Sequence, residues 1–423
     1  MKIAIVGSGI AGNTAAWQLR REHDITVFEA ADRIGGHAHT VDVETADGVL
    51  PVDTGFIVFN DRTYPEFNRL LTDIGQPWQP SVMSFSVQCA RHGLEYNGAS
   101  LDTLFAQRRN IVRPAFLRMV RDILRFNRDA SLAADGAAGE RSLRDYLDRH
   151  AYSREFRQHY LVPMAAAIWS AVPARVLDMP VGFLLRFFRN HGLLQLADRP
   201  NWRVIRGGSR AYVDKLVAGH RARIRLACPV RSVTRRADGV YLRAAGRLER
   251  YDCVFLACHS DQALALLSDA SPAERDVLGA IPYQANEAVL HTDTRLLPRR
   301  QRARAAWNYH IPRDRQQAVA VTYNMNLLQS LDTREHYLVT LNNSAAVQPA
   351  RILQRIRYEH PVFSAAAVAA QARQGELNSG KRTFYCGAYW RNGFHEDGVV
   401  SALAAVRHFE EAMHAQLHFR RAG

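Results

Sequence analysis

The chain has 423 residues, which is more than one ordinary hydrophobic core and suits two interleaved domains. Hydrophobic residues make up 47% and charged residues 23%, a balance typical of a globular protein. The formal net charge of +14 requires an acidic partner to be considered: nucleic acid, an anionic membrane surface or an acidic substrate. The basic residues are scattered and form no known nucleic-acid-binding motif, which disfavours nucleic acid.

The cysteines and the apolar runs indicate the cellular compartment of the protein. Five cysteines without a CxxC pair indicate neither a disulfide framework nor a zinc knuckle, so we expect no metal site and a reducing environment. The chain enters a strand directly, without a signal-peptide pattern, and no apolar run reaches the length of about 18 residues that a membrane span needs. We therefore expect a cytoplasmic protein, with peripheral contact at the inner membrane face as an alternative.

Strand and helix patterns alternate in the first half of the chain. The apolar runs KIAIV (2–6) and ITVF (25–28) flank a helix-length segment and predict one βαβ unit. Residues 41–59 alternate apolar and polar side chains, which suggests antiparallel strands. From about residue 98 to 200 the pattern is helical.

Strand patterns return near residue 203. Residues 222–258 predict a strand, a hairpin meander that turns at Asp238-Gly239, and a buried strand that ends at Ala257-Cys258. More strand-like runs occur within 281–345, and the chain finishes with RTFYCG and a helix at about 398–416. Because the two kinds of segment alternate, the domains should be discontinuous in sequence.

The residues Gly7-Ser8-Gly9-Ile10-Ala11-Gly12 form a GxGxxG motif that follows a strand and opens a helix. The glycines allow a tight turn, close approach of the backbone to a pyrophosphate, and close packing of helix on strand. Unpaired N–H groups at the helix start suit a diphosphate. Glu29, at the end of the second strand, can hold ribose hydroxyls, which leaves NAD and FAD as the candidate dinucleotides.

The residues after Glu29 separate FAD from NAD. Arg33, Gly35 and Gly36 complete an E-x-x-x-R-x-G-G pattern, which resembles the signature of the flavin-containing amine oxidase superfamily. This superfamily includes monoamine and polyamine oxidases, protoporphyrinogen oxidase, phytoene-type desaturases and bacterial fatty-acid isomerases. Five further segments resemble family motifs in the expected order: LPVDTGF (50–56), WRVIRGGSRAYVDKL (202–216), CPVRSV (228–233), YDCVFLAC (251–258) and YCGAYWRNGFHEDGVVSA (385–402).

The resemblance implies an α/β fold in which a Rossmann-like FAD-binding domain is interleaved with an α+β substrate domain of mixed sheet and helices. It assigns residues 1–80, 200–280 and 375–423 to the FAD-binding domain, and residues 81–199 and 281–374 to the substrate-binding domain. It also implies that FAD is bound noncovalently by Gly7, Gly9, Ile10, Ala11, Gly12, Glu29, Ala30, Arg33, Gly35, Gly36, His37, Thr54, Gly55, Phe56, Val230, Gly387, Asp397, Gly398, Val399 and Val400.

The sequence departs from the family pattern at two positions. His37 stands where the family often has an arginine on the pyrophosphate, and a neutral imidazole offers one hydrogen bond instead of a charged fork. Ala388 follows the last strand glycine where the family often has a glutamate. We expect Asp397 to take over part of that role at the flavin edge.

The family's amine oxidases place a lysine near flavin N5, on a strand that should lie within residues 281–345 of this chain. The three lysines, Lys2, Lys215 and Lys381, lie elsewhere, which disfavours amine oxidation. The catalytic residues remain unassigned, and the candidates are His291, His395, Phe394 and Trp390. His37 and His39 form an H-x-H pair without a neighbouring carboxylate or cysteine cluster, so packing against the flavin or its pyrophosphate is favoured over metal binding.

Two stretches of the predicted helical region are rich in apolar residues. Residues 108–128 predict an amphipathic surface helix over a core, with contact to an anionic membrane as an alternative. Its predicted apolar side is Ile111, Val112, Ala115, Met119, Val120 and Ile123, opposite a row of arginines. The stretch 179–196 is apolar and aromatic, and comparable helices in relatives line the tunnel to the flavin.

We therefore predict an FAD-dependent oxidoreductase that takes a hydride to flavin N5 from a hydrophobic substrate, such as a fatty-acyl or isoprenoid chain. The alternatives are a flavin-dependent fatty-acid isomerase without net redox change, an amine oxidase and, less favoured, a flavin-binding partner without enzyme activity.

Overall fold

The computed structural model describes residues 1–133, 141–195, 197–313, 319–379 and 382–422. Lys381 and the last residue of the second apolar stretch, Leu196, lie outside these ranges. The fold is α/β: the described residues form a parallel sheet, a larger mixed sheet, three small antiparallel sheets and the helices around them.

The parallel sheet has five strands, and its central strands are almost wholly buried. The strands Lys2–Val6 and Cys253–Leu256 contain uninterrupted apolar runs because helices or strands cover both faces of the sheet at these positions. The βαβ unit predicted at the N-terminus is present, with the first helix at Ile10–Leu19. In spatial order the strands are Ile224–Arg225, Asp24–Phe28, Lys2–Val6, Cys253–Leu256 and Thr383–Tyr385.

The mixed sheet has seven strands, and one of its pairings, between Phe85–Cys89 and Trp307–Ile311, is parallel. Every strand of this sheet comes from the segments predicted to form the substrate domain, while the parallel sheet draws on the other segments. The domain boundaries themselves stay a prediction. In spatial order the strands are Ile352–Pro361, Tyr283–His291, Leu338–Leu341, Val321–Asn324, Trp307–Ile311, Phe85–Cys89 and Leu94–Asn97.

The small sheets are antiparallel and include the hairpin meander predicted around Asp238-Gly239. Their strands are Thr40–Thr45 with Gly48–Asp53; Val58–Asn60, Trp202–Ile205 and Trp78–Pro80; and Val230–Arg236, Gly239–Ala244 and Arg247–Tyr251.

The region predicted to be helical carries several helices, which pack with the mixed sheet around one large core. The last helix, His395–Ala422, begins three residues before the predicted start. No helix among the described residues is long and apolar enough to cross a membrane. The other α-helices are Pro65–Asp73, Leu101–Leu104, Pro114–Ala133, Leu143–Arg149, Arg154–Phe156, Val162–Trp169, Pro173–Val176, Val181–Asn190, Ser209–Val217, Ser260–Leu266, Pro272–Gly279, Met325–Leu328, Ala365–Gln371 and Gln374–Leu377.

A buried ionic network holds the last strand of the parallel sheet in place. The Glu274 carboxylate accepts hydrogen bonds from the Tyr385 hydroxyl, at 2.6 Å, and from both terminal nitrogens of Arg235. Burial alone would raise the pKa of Glu274, but these bonds and that from the Ser271 N–H outweigh it and lower the pKa to about 2. The network thereby fixes the strand that leads into Gly387.

Replacing Glu274 by glutamine should destabilise the protein by about 3 kcal/mol at neutral pH, because it leaves a buried guanidinium with less compensating charge. The depressed pKa of Glu274 stabilises the fold at pH values above the ordinary value of 4.5, and that contribution is lost as the pH falls toward 2. Thermal unfolding followed by circular dichroism should therefore show a wild-type advantage that shrinks on acidification. Glu376→Gln, which breaks a surface pair with Arg373, is the control and should leave the stability almost unchanged, because solvent screens exposed ion pairs.

Candidate active site

A cavity of about 690 Å³ begins at the carboxyl ends of the parallel strands, beside the GxGxxG turn. It continues to the helices Val162–Trp169 and Val181–Asn190 and to the mixed sheet. The two ends differ in character: backbone and polar groups line the first, and aromatic and aliphatic side chains line the second. We call them the nucleotide end and the chamber.

The glycines of the GxGxxG turn leave space where a diphosphate would approach the backbone. Gly7 has φ +104°, and a Cβ there would lie 2.9 Å from the Ala257 carbonyl oxygen. A Cβ on Gly12 would lie 1.9 Å from the Gly7 oxygen, so that glycine is needed for packing alone. Gly9 lines the cavity with nothing within 4 Å of its missing Cβ. This geometry fits the dinucleotide predicted from the sequence.

Glu29 lies at the nucleotide end with its carboxylate already oriented. One oxygen accepts hydrogen bonds from the Ser8 N–H, at 2.9 Å, and the Ser8 hydroxyl, at 2.6 Å. The other accepts from the Ala31 N–H at 2.9 Å. A carboxylate oxygen can accept further hydrogen bonds, so the remaining capacity is available to ribose hydroxyls.

His37 belongs to a partly buried group of neutral rings. Its imidazole stacks on Tyr358, with ring centroids 5.0 Å apart, and lies 5.3 Å from that of His360. Burial, and then the neighbouring histidines, hold the pKa of His37 well below its ordinary value, so the ring is uncharged at neutral pH. Its Nε2 is buried without a hydrogen-bond partner, which leaves it available to a bound group.

Tyr358 joins this group to the Asp53-Thr54-Gly55 segment. Its hydroxyl lies 2.8 Å from the Thr54 hydroxyl and 3.0 Å from His39 Nδ1. No sequence motif pointed to Tyr358, because it comes from a strand more than three hundred residues away. His39 thus makes a hydrogen bond to a phenol, and it does not line the cavity.

The closing motif presents Phe394 and His395 to the cavity. His395 stacks on Phe56 with ring centroids 3.5 Å apart, and its Nε2 lies 3.0 Å from the Tyr212 hydroxyl. Burial lowers the pKa of His395 to about 3. Asp397 lies just beyond the lining and accepts a hydrogen bond from the Phe394 N–H at 2.9 Å, and burial raises its pKa to about 7.

Most of the predicted cofactor residues meet at this one cavity. Those that line it are Gly7, Gly9, Ile10, Ala11, Glu29, Ala30, Gly36, His37, Thr54, Gly55, Phe56, Val230 and Gly387. Those that do not line it are Gly12, Arg33, Gly35, Asp397, Gly398, Val399 and Val400. Of this second set, Gly12 and Gly398 are packing glycines: a Cβ on Gly398 would lie 2.6 Å from Ile10.

Two of the four catalytic candidates have no access to the cavity. His291 is fully buried in the mixed sheet, where its Nε2 lies 2.8 Å from the Thr340 hydroxyl and its Nδ1 accepts from the Asp293 N–H. Trp390 is buried in the core beneath the parallel sheet. These contacts are structural, so we assign neither residue a catalytic role.

The chamber contains an imidazole to which no sequence motif pointed. His191, at the end of the helix Val181–Asn190, stacks on Phe187 with ring centroids 3.8 Å apart. Its Nδ1 donates a hydrogen bond to the Phe187 carbonyl at 3.0 Å, which leaves Nε2 as the unprotonated nitrogen. Burial lowers its pKa to about 4. The signal in the sequence that could have indicated this residue is its position as a lone histidine in the apolar, aromatic stretch 179–196.

One group of metal-ligand type occurs among the described residues, away from this cavity. Cys89, His92 and His159 bring one ligand atom each within 4.8 Å of one another. None of the three lines the cavity, so the group has no part in the site.

Comparison with known proteins identifies the family. The model of the flavin containing amine oxidoreductase family matches residues 10–347. By structure the chain resembles cyclohexylamine oxidase from Brevibacterium oxydans IH-35A, with a TM-score of 0.69 and 17% identity over 97% of this chain and 99% of that one. It also resembles the CLA-producing fatty acid isomerase from P. acnes, with a TM-score of 0.67 and 14% identity over 96% and 98% of the two chains.

A third similar structure is wild-type putrescine oxidase bound to putrescine, with a TM-score of 0.64 and 14% identity over 96% of this chain and 99% of that one. No curated protein matches the chain by sequence. The structural likenesses, all at low identity, establish the fold, and the family model covers most of the chain. The chain therefore belongs to the flavin-containing amine oxidoreductase family, as an FAD-dependent oxidoreductase.

Proposed function

We propose that the protein oxidises a neutral, hydrophobic substrate by desaturation, with a fatty-acyl or isoprenoid chain as the substrate class. The observation that carries this proposal is the lining of the chamber, which is aromatic and aliphatic and, among the described residues, contains no carboxylate, lysine or arginine. Its main lining residues are Met83, Phe85, Met164, Ile168, Trp169, Phe187, His191, Leu193, Trp307, Tyr323, Leu341 and Phe363.

The charges at the cavity lie at its other end. Glu29 and Glu359 are its acidic lining residues. Glu359 lies 3.5 Å from His259, which follows the parallel strand Cys253–Leu256 after two intervening residues. A substrate ammonium or carboxylate in the chamber would be buried without an opposite charge, which costs several kcal/mol. The chamber therefore favours a substrate whose reacting part is uncharged.

In a desaturation, residues of this chain would accept the proton and exclude water. When bound, FAD accepts a hydride from carbon. The second hydrogen leaves the adjacent carbon as a proton, for which we assign His191 Nε2 as the acceptor, and the carbon–carbon single bond becomes a double bond. The lowered pKa keeps Nε2 unprotonated at neutral pH. The apolar walls exclude water, and an electron acceptor such as oxygen completes the redox balance.

A fatty-acid isomerase is the second candidate, favoured by the same uncharged chamber. The resemblance to a fatty acid isomerase supports it only as far as fold similarity reaches. In that reaction the hydride returns to another carbon of the substrate, and no acceptor is consumed. Amine oxidation is less favoured, because the described lining of the cavity contains no lysine and the described residues of the chamber include no carboxylate to pair with an ammonium group.

Substrate classes can be separated by the flavin colour of the purified protein. Under anaerobic conditions an unsaturated fatty acid or an isoprenoid should bleach the flavin, whereas cyclohexylamine and putrescine should leave it oxidised. His191→Phe should keep FAD but bleach about a hundredfold more slowly, because the proton acceptor is lost. Bleaching by an amine alone would refute the proposal, and product without bleaching or oxygen uptake would indicate the isomerase.

The nucleotide end predicts opposite results for two glycines. Gly9→Ala should fold normally, since a Cβ there meets open space, yet bind FAD at least about tenfold more weakly because the methyl group occupies the diphosphate approach. Gly12→Ala should disrupt folding, because its Cβ collides with the Gly7 oxygen. Thermal unfolding of the FAD-free proteins and titration with FAD by flavin fluorescence measure both. Undiminished FAD affinity in Gly9→Ala would place the diphosphate elsewhere.

A further inference from the structure

The helix Pro114–Ala133 lies on the protein surface and has two different faces. Its inner face packs into the large core through Phe116, Met119, Phe126 and Ala130, which are each at most 5% exposed. These residues are three, seven and four positions apart, which places them on one side of an α-helix. The helix is thus anchored without using its other side.

The outer face carries leucines and arginines in alternation. Leu117 and Leu124 are 43% and 51% exposed. Arg113, just before the helix, and Arg121 and Arg128 within it are exposed as well. A spacing of three or four residues places Leu117, Arg121, Leu124 and Arg128 on one stripe, because a helix has 3.6 residues per turn. Arg113 directly precedes the first turn of the helix. We call these five residues the outer stripe.

The turn before the helix extends the apolar part of this surface. Ile111 and Val112, in the 3₁₀ turn Arg108–Val112, are 51% and 79% exposed. This differs from the sequence prediction, which put both residues with Met119 on the core side. The turn separates them from the helix, so the helical period does not extend back to them.

Acidic residues near the outer stripe do not cancel its charge. Residues 101–133 contain seven arginines and three aspartates. Asp122 is buried beneath Arg121 and Arg125, at 3.6 Å from each, and Asp129 pairs with Arg128 at 2.8 Å. Arg121 and Arg128 nevertheless remain 70% and 73% exposed. The surface is therefore both basic and apolar.

We propose that the outer stripe, with Ile111 and Val112, binds the surface of an anionic lipid bilayer. Leucines exposed at this level gain free energy when they enter the boundary between headgroups and acyl chains, and arginines beside them gain by contact with anionic headgroups. The arginines could contact the phosphates of a nucleic acid, but the exposed leucines would not contribute to binding it. The proposal does not depend on the identity of the substrate.

The stripe also lies close to the chamber. Phe126, on the inner face of the same helix, contacts Phe188 with ring centroids 6.4 Å apart. Phe187, the residue directly before Phe188 in the chain, lines the chamber. One packed pair of helices therefore separates the proposed membrane surface from the substrate cavity.

Vesicle sedimentation of the FAD-loaded protein tests the proposal. Binding should be at least about tenfold stronger to vesicles of phosphatidylcholine mixed with phosphatidylglycerol than to phosphatidylcholine alone, and added salt should weaken it. Absence of binding, or equal binding to both vesicles, would overturn the proposal. Dimers in analytical ultracentrifugation that dissociate on substitution of Leu117 would overturn it too, because they would assign the stripe to a second copy of the chain.

Paired variants identify the surface involved. Leu117→Ser with Leu124→Ser, and separately Arg113→Gln with Arg121→Gln, should each reduce binding to the mixed vesicles about tenfold or more. The matched control, Arg247→Gln with Leu248→Ser, changes another exposed arginine and leucine and should bind like the wild type. Unchanged thermal unfolding and flavin fluorescence establish that each variant is folded. An equal loss in the control would contradict the assignment.

Discussion

The active site depends on the convergence of two helix starts on the end of the parallel sheet. The first helix begins at Ile10 and the last at His395, and they meet where Gly398 packs against Ile10. A side chain on Gly398 would collide with Ile10 and separate the two helices, and one on Gly12 would collide with the Gly7 oxygen and push the first helix away from the turn. Because helix starts carry unpaired N–H groups and a partial positive charge, their convergence makes this end of the sheet favourable to an anionic dinucleotide.

This part of the structure could be predicted because its information is local. Gly7, Gly9, Gly12 and Glu29 occupy one βαβ unit, in which a strand, a turn and a helix fix one another's positions. The hairpin meander and the last strand were predictable for the same reason, since turn residues and apolar runs mark them directly. The family pattern then added the order of segments, which composition alone does not supply.

The chamber could not be predicted because its residues meet only through tertiary packing. Tyr358 and His191 come from elements far apart in the chain. Only the resemblance of the stretch 179–196 to tunnel-lining helices pointed to a cavity near His191, and it did not single out that residue. His291 shows the complementary error. It contacts Thr340, whereas the next residue, Leu341, lines the cavity, and successive strand residues face opposite sides of the sheet. The sequence shows this alternation but not which side faces the flavin.

The surface helix and the chamber impose related demands on the substrate. A chamber without charged groups suits molecules that water dissolves poorly, and such molecules partition into membranes. The helix Val181–Asn190 presents Phe187 to the chamber and Phe188 to the surface helix, so two successive residues connect both environments. A protein held on a bilayer through Leu117 and Leu124 would meet such substrates at high local concentration. The aromatic layer beneath would keep the reaction away from water. Under these two proposals, the arginine-rich surface and the uncharged chamber would both serve the oxidation of a molecule that does not leave the membrane readily.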